Sequence, residues 1–302
     1  MMGEGPAGDS LHRRTREALQ AQGLHPRKRL GQHFMISRTV RDRILREADL
    51  GPECTAVEIG PGTGLLTEAL LATGAAVLAV ELDRGLARLL EETLGSHPRL
   101  RIRVADALHF DFEAALAPDR GRGPVRVVAN IPYQITSPLI FRLLETAGLF
   151  DRLCLTVQRE VADRLSASPG TKAYGALTLA CQYRATVRTV IRIPPGAFYP
   201  PPAVDSALVR MECRPAPAVA VGSEARLFRV IRAAFGQRRK TLRNALRHAG
   251  WPVDEVEGAL GAAGVVGERR GETLSLEEFA RVSEALPARA ERVDSVTDRD
   301  VR

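Results

Sequence analysis

Asn130-Ile131-Pro132-Tyr133 follows directly on Arg126-Val127-Val128-Ala129, an apolar run short enough to be a buried strand. A side-chain oxygen, a backbone stiffened by proline and an aromatic ring are thereby placed where a strand ends. In open α/β sheets ligands bind at the C-terminal ends of strands. The set suits the holding of a planar amine, such as the exocyclic amine of a nucleobase. Asn-x-Pro is also common turn punctuation, so the remaining residues have to decide.

Glu58-Ile59-Gly60-Pro61-Gly62-Thr63-Gly64 lies between an expected strand and an expected helix. Glycines there allow a tight turn and close backbone approach to a ligand, beside the positive end of a helix. Glu81 ends the next strand about 20 residues on, the spacing at which a carboxylate grips ribose hydroxyls. Asp106 ends the third strand and is placed to accept from an adenine amine. A nicotinamide-dependent dehydrogenase would also carry the acidic residue, but its loop reads Gly-x-Gly-x-x-Gly. The tighter Gly-x-Gly-x-Gly spacing here points to S-adenosylmethionine, which needs no pyrophosphate cradle.

These residues need a scaffold, and the chain alternates strand and helix to supply one. Strands are expected at Ala56–Ile59, Ala76–Val80, Leu100–Val104, Val125–Ala129 and Leu153–Val157. Helices are expected at Leu65–Thr73, Leu86–Leu94 and Pro138–Glu145. Arg38–Ala48 and a short segment near Thr15–Gln22 precede them. Ala185–Ile193 and Ala203–Met211 read as late strands. Repeated βαβ units imply an α/β fold with a mostly parallel, doubly wound sheet. Residues 215–222 read as a linker, and the pattern beyond it is helical: 224–235, 238–249, 253–262 and 275–286. The expected organisation is an extension (1–24), a sheet domain (25–214), the linker, a small all-helical domain (223–287) and a polar, disordered tail (288–302).

The 302 residues carry a net charge of +7 and 45% hydrophobic residues, the balance of a globular protein with a polyanionic partner. Basic clusters run through Arg27-Lys28-Arg29 and Arg238-Arg239-Lys240, the second continued by Arg243 and Arg247. Arg226, Arg229 and Arg232 share one helical face by spacing, and so do Arg239, Arg243 and Arg247. Few acids lie nearby in sequence, which favours RNA phosphates over a merely solvated face. Four scattered cysteines argue against a disulfide framework or a zinc site, and no metal is expected. No apolar run reaches membrane-spanning length, and a cytoplasmic protein is expected.

Lys28-Arg29-Leu30-Gly31-Gln32-His33-Phe34, the glycine loop, Asn-Ile-Pro-Tyr and Gln158–Leu165 resemble the ribosomal RNA adenine dimethylases. Lys172-Ala173-Tyr174-Gly175, Pro195–Pro202 with Val204-Asp205-Ser206, and Ala234–Asn244 resemble the branch acting on 16S rRNA. The resemblance runs from about Arg27 to Leu286. It implies a Rossmann-like class I methyltransferase that dimethylates two adjacent adenines near the 3′ end of 16S rRNA, within the pre-30S particle, as a monomer. It implies contact with the methyl donor from Gly60, Gly62, Glu81, Asp106 and Asn130, with His33 and Met35 helping to cover it. The family often has Asn at the position of His33 and Leu at that of Met35.

On this reading the Asn130 side-chain oxygen and the Ile131 carbonyl accept hydrogen bonds from the adenine amine and localise its lone pair. Pro132 stiffens the turn, Tyr133 stacks on the base, and Phe198 is the candidate for its second face. Lys28, Arg29, Arg238, Arg239, Lys240 and Arg243 are the expected RNA contacts. Two rivals remain: a macrolide-resistance-type methylase of 23S rRNA, and a non-catalytic nucleic-acid-binding relative.

Overall fold

The computed structural model describes residues 7–146 and 148–287. The expected tail at 288–302 lies outside the described residues. In chain order the elements are α1 (Ala7–Ala21), β1 (Phe34–Met35), α2 (Arg38–Ala48), β2 (Thr55–Ile59), α3 (Leu65–Ala72), β3 (Ala76–Glu81), α4 (Arg84–Leu94), β4 (Leu100–Val104), α5 (Phe112–Leu116), β5 (Val125–Asn130), α6 (Thr136–Glu145) and β6 (Arg152–Gln158). There follow α7 (Arg159–Leu165), α8 (Ala176–Arg184), β7 (Ala185–Ile193), β8 (Phe198–Tyr199), β9 (Ser206–Cys213), α9 (Glu224–Gly236), α10 (Leu242–His248), α11 (Val253–Ala263) and α12 (Leu276–Ala285).

The contacts divide the chain into two units. One runs to Ala162 and adds Val187–Cys213; the other comprises Asp163–Thr186 and the chain from Arg214 onward. The first holds a seven-stranded sheet in the order β4-β3-β2-β5-β6-β9-β7. Strands β4, β3, β2, β5 and β6 are mutually parallel, whereas β9 runs antiparallel to β6. This is the α/β sheet expected from the alternation, but Ala203–Met211 does not extend the parallel part. Its chain returns from the ribbon below rather than through a crossover helix. All of β2 is buried, as a central strand covered on both faces must be.

Strand order reverses between β3 and β5 on either side of β2, which opens a crevice at the strands' C-terminal ends. Ser37 caps α2 through the Val40 amide, and Asp83 caps α4 through the Gly85 amide at 2.9 Å. The caps fix where those helices start relative to the crevice. Helix α1 begins eight residues before the expected start, burying the stripe Leu11, Thr15 and Leu19.

Outside the main sheet, β1 pairs antiparallel with β8, matching Phe34 with Tyr199 and Met35 with Phe198. The ribbon lies on apolar residues, Leu19, Leu86 and Leu89 gathering around Phe34.

The helical unit has its own core, including Tyr174, Tyr183, Leu227, Ile231, Leu246, Trp251 and Phe279. Residues 163–186, which the alternation groups with the sheet, pack here. Tyr174 is 1% exposed and donates its hydroxyl to the Leu274 carbonyl at 2.8 Å, tying the segment to the later helices. Among the described residues no helix is long and apolar enough to cross a membrane.

Candidate active site

The glycine loop leaves β2 with Gly60, Gly62 and Gly64 all in the left-handed region, at φ 71°, 59° and 82°. L side chains rarely adopt these values. Gly62 has a second constraint, because a Cβ there would stand 2.9 Å from the Phe34 ring. Gly62→Ala is therefore expected to destabilise the protein by about 1–3 kcal/mol and displace the loop. Thermal unfolding measures the first effect and donor-binding calorimetry the second; an unshifted unfolding curve would show that the ribbon does not hold the loop.

Glu81 closes the turn from the next strand. Its Oε2 accepts from the Gly62 amide at 3.2 Å and its Oε1 from the Asp83 amide at 2.9 Å. Burial raises the Glu81 pKa, and these backbone donors oppose the rise. Asp106 accepts from the Leu108 amide through Oδ1 at 2.9 Å. It edges a surface cavity that Ala105, His109 and Phe110 also line.

Asn130 ends β5 half-buried, aligned with Thr156 of β6. Its Nδ2 donates to the His33 main-chain carbonyl at 2.7 Å. That bond orients the amide and leaves Oδ1 as the acceptor. The His33 ring is engaged as well: Nδ1 lies 2.7 Å from the Pro200 carbonyl, so that nitrogen carries the proton and donates. The same ring stacks on Tyr133, with centroids 5.7 Å apart and planes 28° from parallel. Tyr133 in turn shares a 2.7 Å hydroxyl–hydroxyl hydrogen bond with Ser206 of β9, and burial raises its pKa. Gly31 packs against Pro132, and Ile131 is buried with its amide donating to the Thr156 carbonyl at 3.1 Å. His33 is thus engaged through both its carbonyl and its imidazole, while Met35 packs against the core.

Phe198 does not present the free face expected of it. Its ring is 2% exposed and lies in the core cluster with Val40, Ile44 and Leu208. Pairing with Met35 turns it inward, while its half-buried neighbour Tyr199 meets His12 edge-on at 5.1 Å.

Motif spacing does not mark Glu58 as a site residue. It lies on β2 two residues before Gly60 and is 1% exposed. Burial, joined by repulsion from Glu81, pushes its pKa up to about 8. The nearby Thr67 hydroxyl opposes the rise, yet neither it nor Glu58 Oε2 completes a hydrogen bond. The available signal was one acid inside Thr55-Ala-Val-Glu-Ile, an otherwise buried strand.

The basic residues divide differently from the helical spacing. Arg238, Arg239 and Lys240 lie in a turn, because α10 starts only at Leu242, capped by Thr241. Arg243 is paired with Glu257, at 3.1 Å from Nη2, and with Glu268. Arg226 is paired with Glu284 at 2.9 Å, and Arg229 lies 4.5 Å above the Trp251 ring. The expectation that few acids relieve these charges fails, since Glu257 and Glu284 arrive from α11 and α12 and Glu268 from the turn between them. Arg239, Lys240, Arg232 and Arg247 stay exposed. In the sheet unit Arg29 is exposed and Arg27 pairs with Asp83 at 3.0 Å, while the Lys28 side chain lies outside the described residues.

A family model described as ribosomal RNA adenine dimethylase matches residues 23–287. The ribosomal RNA small subunit methyltransferase A of Pelotomaculum thermopropionicum is 47% identical over 280 residues, covering 90% of this chain and 95% of that protein. Its counterpart in Moorella thermoacetica is 44% identical, covering 90% and 96%. Among solved structures, a dimethyladenosine transferase from Plasmodium falciparum matches with a TM-score of 0.71 at 25% identity, covering 83% of this chain and 96% of that one. The 23S rRNA methyltransferase ErmE matches at 0.66 and 29%, covering 84% and 99%. With the crevice, the glycine loop and Asn130 in place on a matching fold, the chain belongs to the ribosomal RNA adenine dimethylase family.

Proposed function

We propose that this chain transfers methyl groups from S-adenosylmethionine to the N6 amines of two adjacent adenines near the 3′ end of 16S rRNA, during assembly of the small subunit. The carrying observation is Asn130, whose amide nitrogen is held by the His33 carbonyl at 2.7 Å, which leaves its oxygen available as an acceptor for an amine. The small-subunit identity of relatives at 43–47% favours 16S over 23S rRNA.

The residues present fit the donor. Gly60 would leave a Cβ with no neighbour closer than 3.9 Å, an open cradle beside the crevice, and Glu81 offers remaining lone pairs to ribose hydroxyls. Asp106 keeps Oδ2 as an acceptor for an adenine amine, since its Oδ1 already accepts from the Leu108 amide. When bound, S-adenosylmethionine supplies an electrophilic methyl group on a positively charged sulfur.

The rest falls to protein groups. An adenine amine is a poor nucleophile because its lone pair is delocalised into the ring. Asn130 Oδ1 and the Ile131 carbonyl accept its hydrogens and favour the pyramidal form with a localised pair. On transfer the carbon–sulfur bond of the donor would break as the N–C bond forms, its electron pair staying on sulfur; the positive charge would pass to the nitrogen beside these fixed dipoles, and a proton would leave to solvent. Tyr133, backed by His33 and fixed by Ser206, offers its other face to the extruded base. Alignment of amine, methyl and sulfur supplies the remaining acceleration. Arg239 and Lys240 hold RNA phosphates.

Incubation with undermethylated 30S and 50S particles and labelled donor, followed by mapping of the modified bases, tests the proposal. Label at two adjacent adenines of the 30S particle is expected. Label confined to 50S would move the substrate to the large subunit, and none in either would favour a binding factor.

A further inference from the structure

The chain has three lysines, Lys28, Lys172 and Lys240, and Lys172 lies far in sequence from either basic cluster. The fold of the helical unit brings its backbone to one of them. Arg238 Nη2 donates to the Lys172 and Tyr174 carbonyls, at 3.2 Å each. Arg238 therefore spends hydrogen-bonding capacity on the protein's own main chain.

Both segments joined by this guanidinium are tight turns. In the first, the Thr171 amide and hydroxyl donate to the Ser168 carbonyl at 3.2 and 2.7 Å, and the Gly170 amide donates to the Glu272 carbonyl at 2.7 Å. The second is closed by the Lys240 amide donating to the Gln237 carbonyl at 2.8 Å. Tyr174, buried and bonded to the Leu274 carbonyl, anchors the first turn to the core. Lys172, Arg239 and Lys240 are all exposed, and among the described residues none of their side chains makes a hydrogen bond or ion pair. Of the acids beside this turn, Glu278 is engaged with Arg269 at 3.0 Å, while Glu272 and Glu277 make no ion pair with Lys172, Arg239 or Lys240 among the described residues.

We propose that Lys172 is a phosphate-contacting residue of one RNA-binding patch with Arg239 and Lys240, and that Arg238 is a positioning residue that holds the two turns together. This rests on the reading of the chain as an RNA-modifying enzyme. The sugar-phosphate backbone of RNA is the occupant: the patch is cationic and without acids paired to it, on a chain of net charge +7. A lysine ammonium serves there as a point charge, needing no planar partner geometry.

The test measures binding of full-length protein to undermethylated 30S particles over a salt series. Lys172→Gln is expected to reduce the slope of log affinity against log salt by about 1, the change due to one lost phosphate contact, with the thermal midpoint unchanged. Arg239→Gln is the reference and should reduce the slope similarly. Arg238→Ala is expected to speed amide hydrogen exchange across residues 170–175, which Lys172→Gln should leave slow. An unchanged slope for Lys172→Gln beside a reduced one for Arg239→Gln overturns the Lys172 assignment alone. Unchanged slopes for both remove the RNA-binding reading beneath it. Unchanged exchange in Arg238→Ala overturns the positioning role.

Discussion

Asn130→Ala loses methyl transfer by about 100- to 1,000-fold or more, because the fixed acceptor for the adenine amine is gone. The protein stays folded. The truncated side chain gives up one hydrogen bond, to the His33 carbonyl, worth about 1 kcal/mol. Single-turnover methylation of 30S particles at saturating donor reads the loss; circular dichroism and a thermal melt read the fold. Donor affinity should change far less than the rate. Full dimethylation by this variant would remove the core of the proposal, whereas an unfolded variant would recast Asn130 as a structural residue.

Glu58→Gln changes stability in a pH-dependent way. The native carboxyl titrates near 8, against an ordinary value of 4.5. Between those limits the folded protein holds a proton that the unfolded chain has released. The stabilisation is complete below about pH 4.5 and is lost as pH rises through 8, at up to about 1.4 kcal/mol per pH unit. Glu81, also raised by burial, acts with the same sign. The glutamine cannot ionise, and its amide can donate to the Thr67 hydroxyl, which lacks a partner. At pH 8 the variant should be more stable than the parent by about 2–4 kcal/mol, with little difference at pH 5. Denaturant titrations at pH 5, 6, 7 and 8 decide it; parallel curves for both proteins would mean that Glu58 is already charged.

Periodicity made the scaffold legible. The bounds of α2, β4 and β7 coincide with the expected ones, since each combines a clear apolar period with flanking polar residues. The glycine loop, Glu81, Asp106 and Asn130 could be placed at strand ends because the strands before them were so clear. Long-range partners were not legible. Arg243 is paired by acids 14 and 25 residues on, and Arg226 by one 58 residues on, separations that helical spacing does not address. The start of α10 is hidden in the sequence because Arg238–Lys240 carry good helix propensity, and only the Thr241 cap marks the true beginning. Phe198 stands in a proline-rich segment that reads as exposed, while pairing with β1 puts it in the core.

The bond from Asn130 to the His33 carbonyl bears on how this protein can change by mutation. A main-chain carbonyl is offered by any residue, so the identity of position 33 is free to drift, and a histidine can replace the family's asparagine without disturbing the amide. Chain length between Gly31 and Met35 is a different matter. Insertion or deletion of one residue would slip the two-residue ribbon, turn Phe34 away from Gly62 and carry the carbonyl off Asn130. Surviving variants of this segment should therefore be rich in substitutions and almost free of gaps.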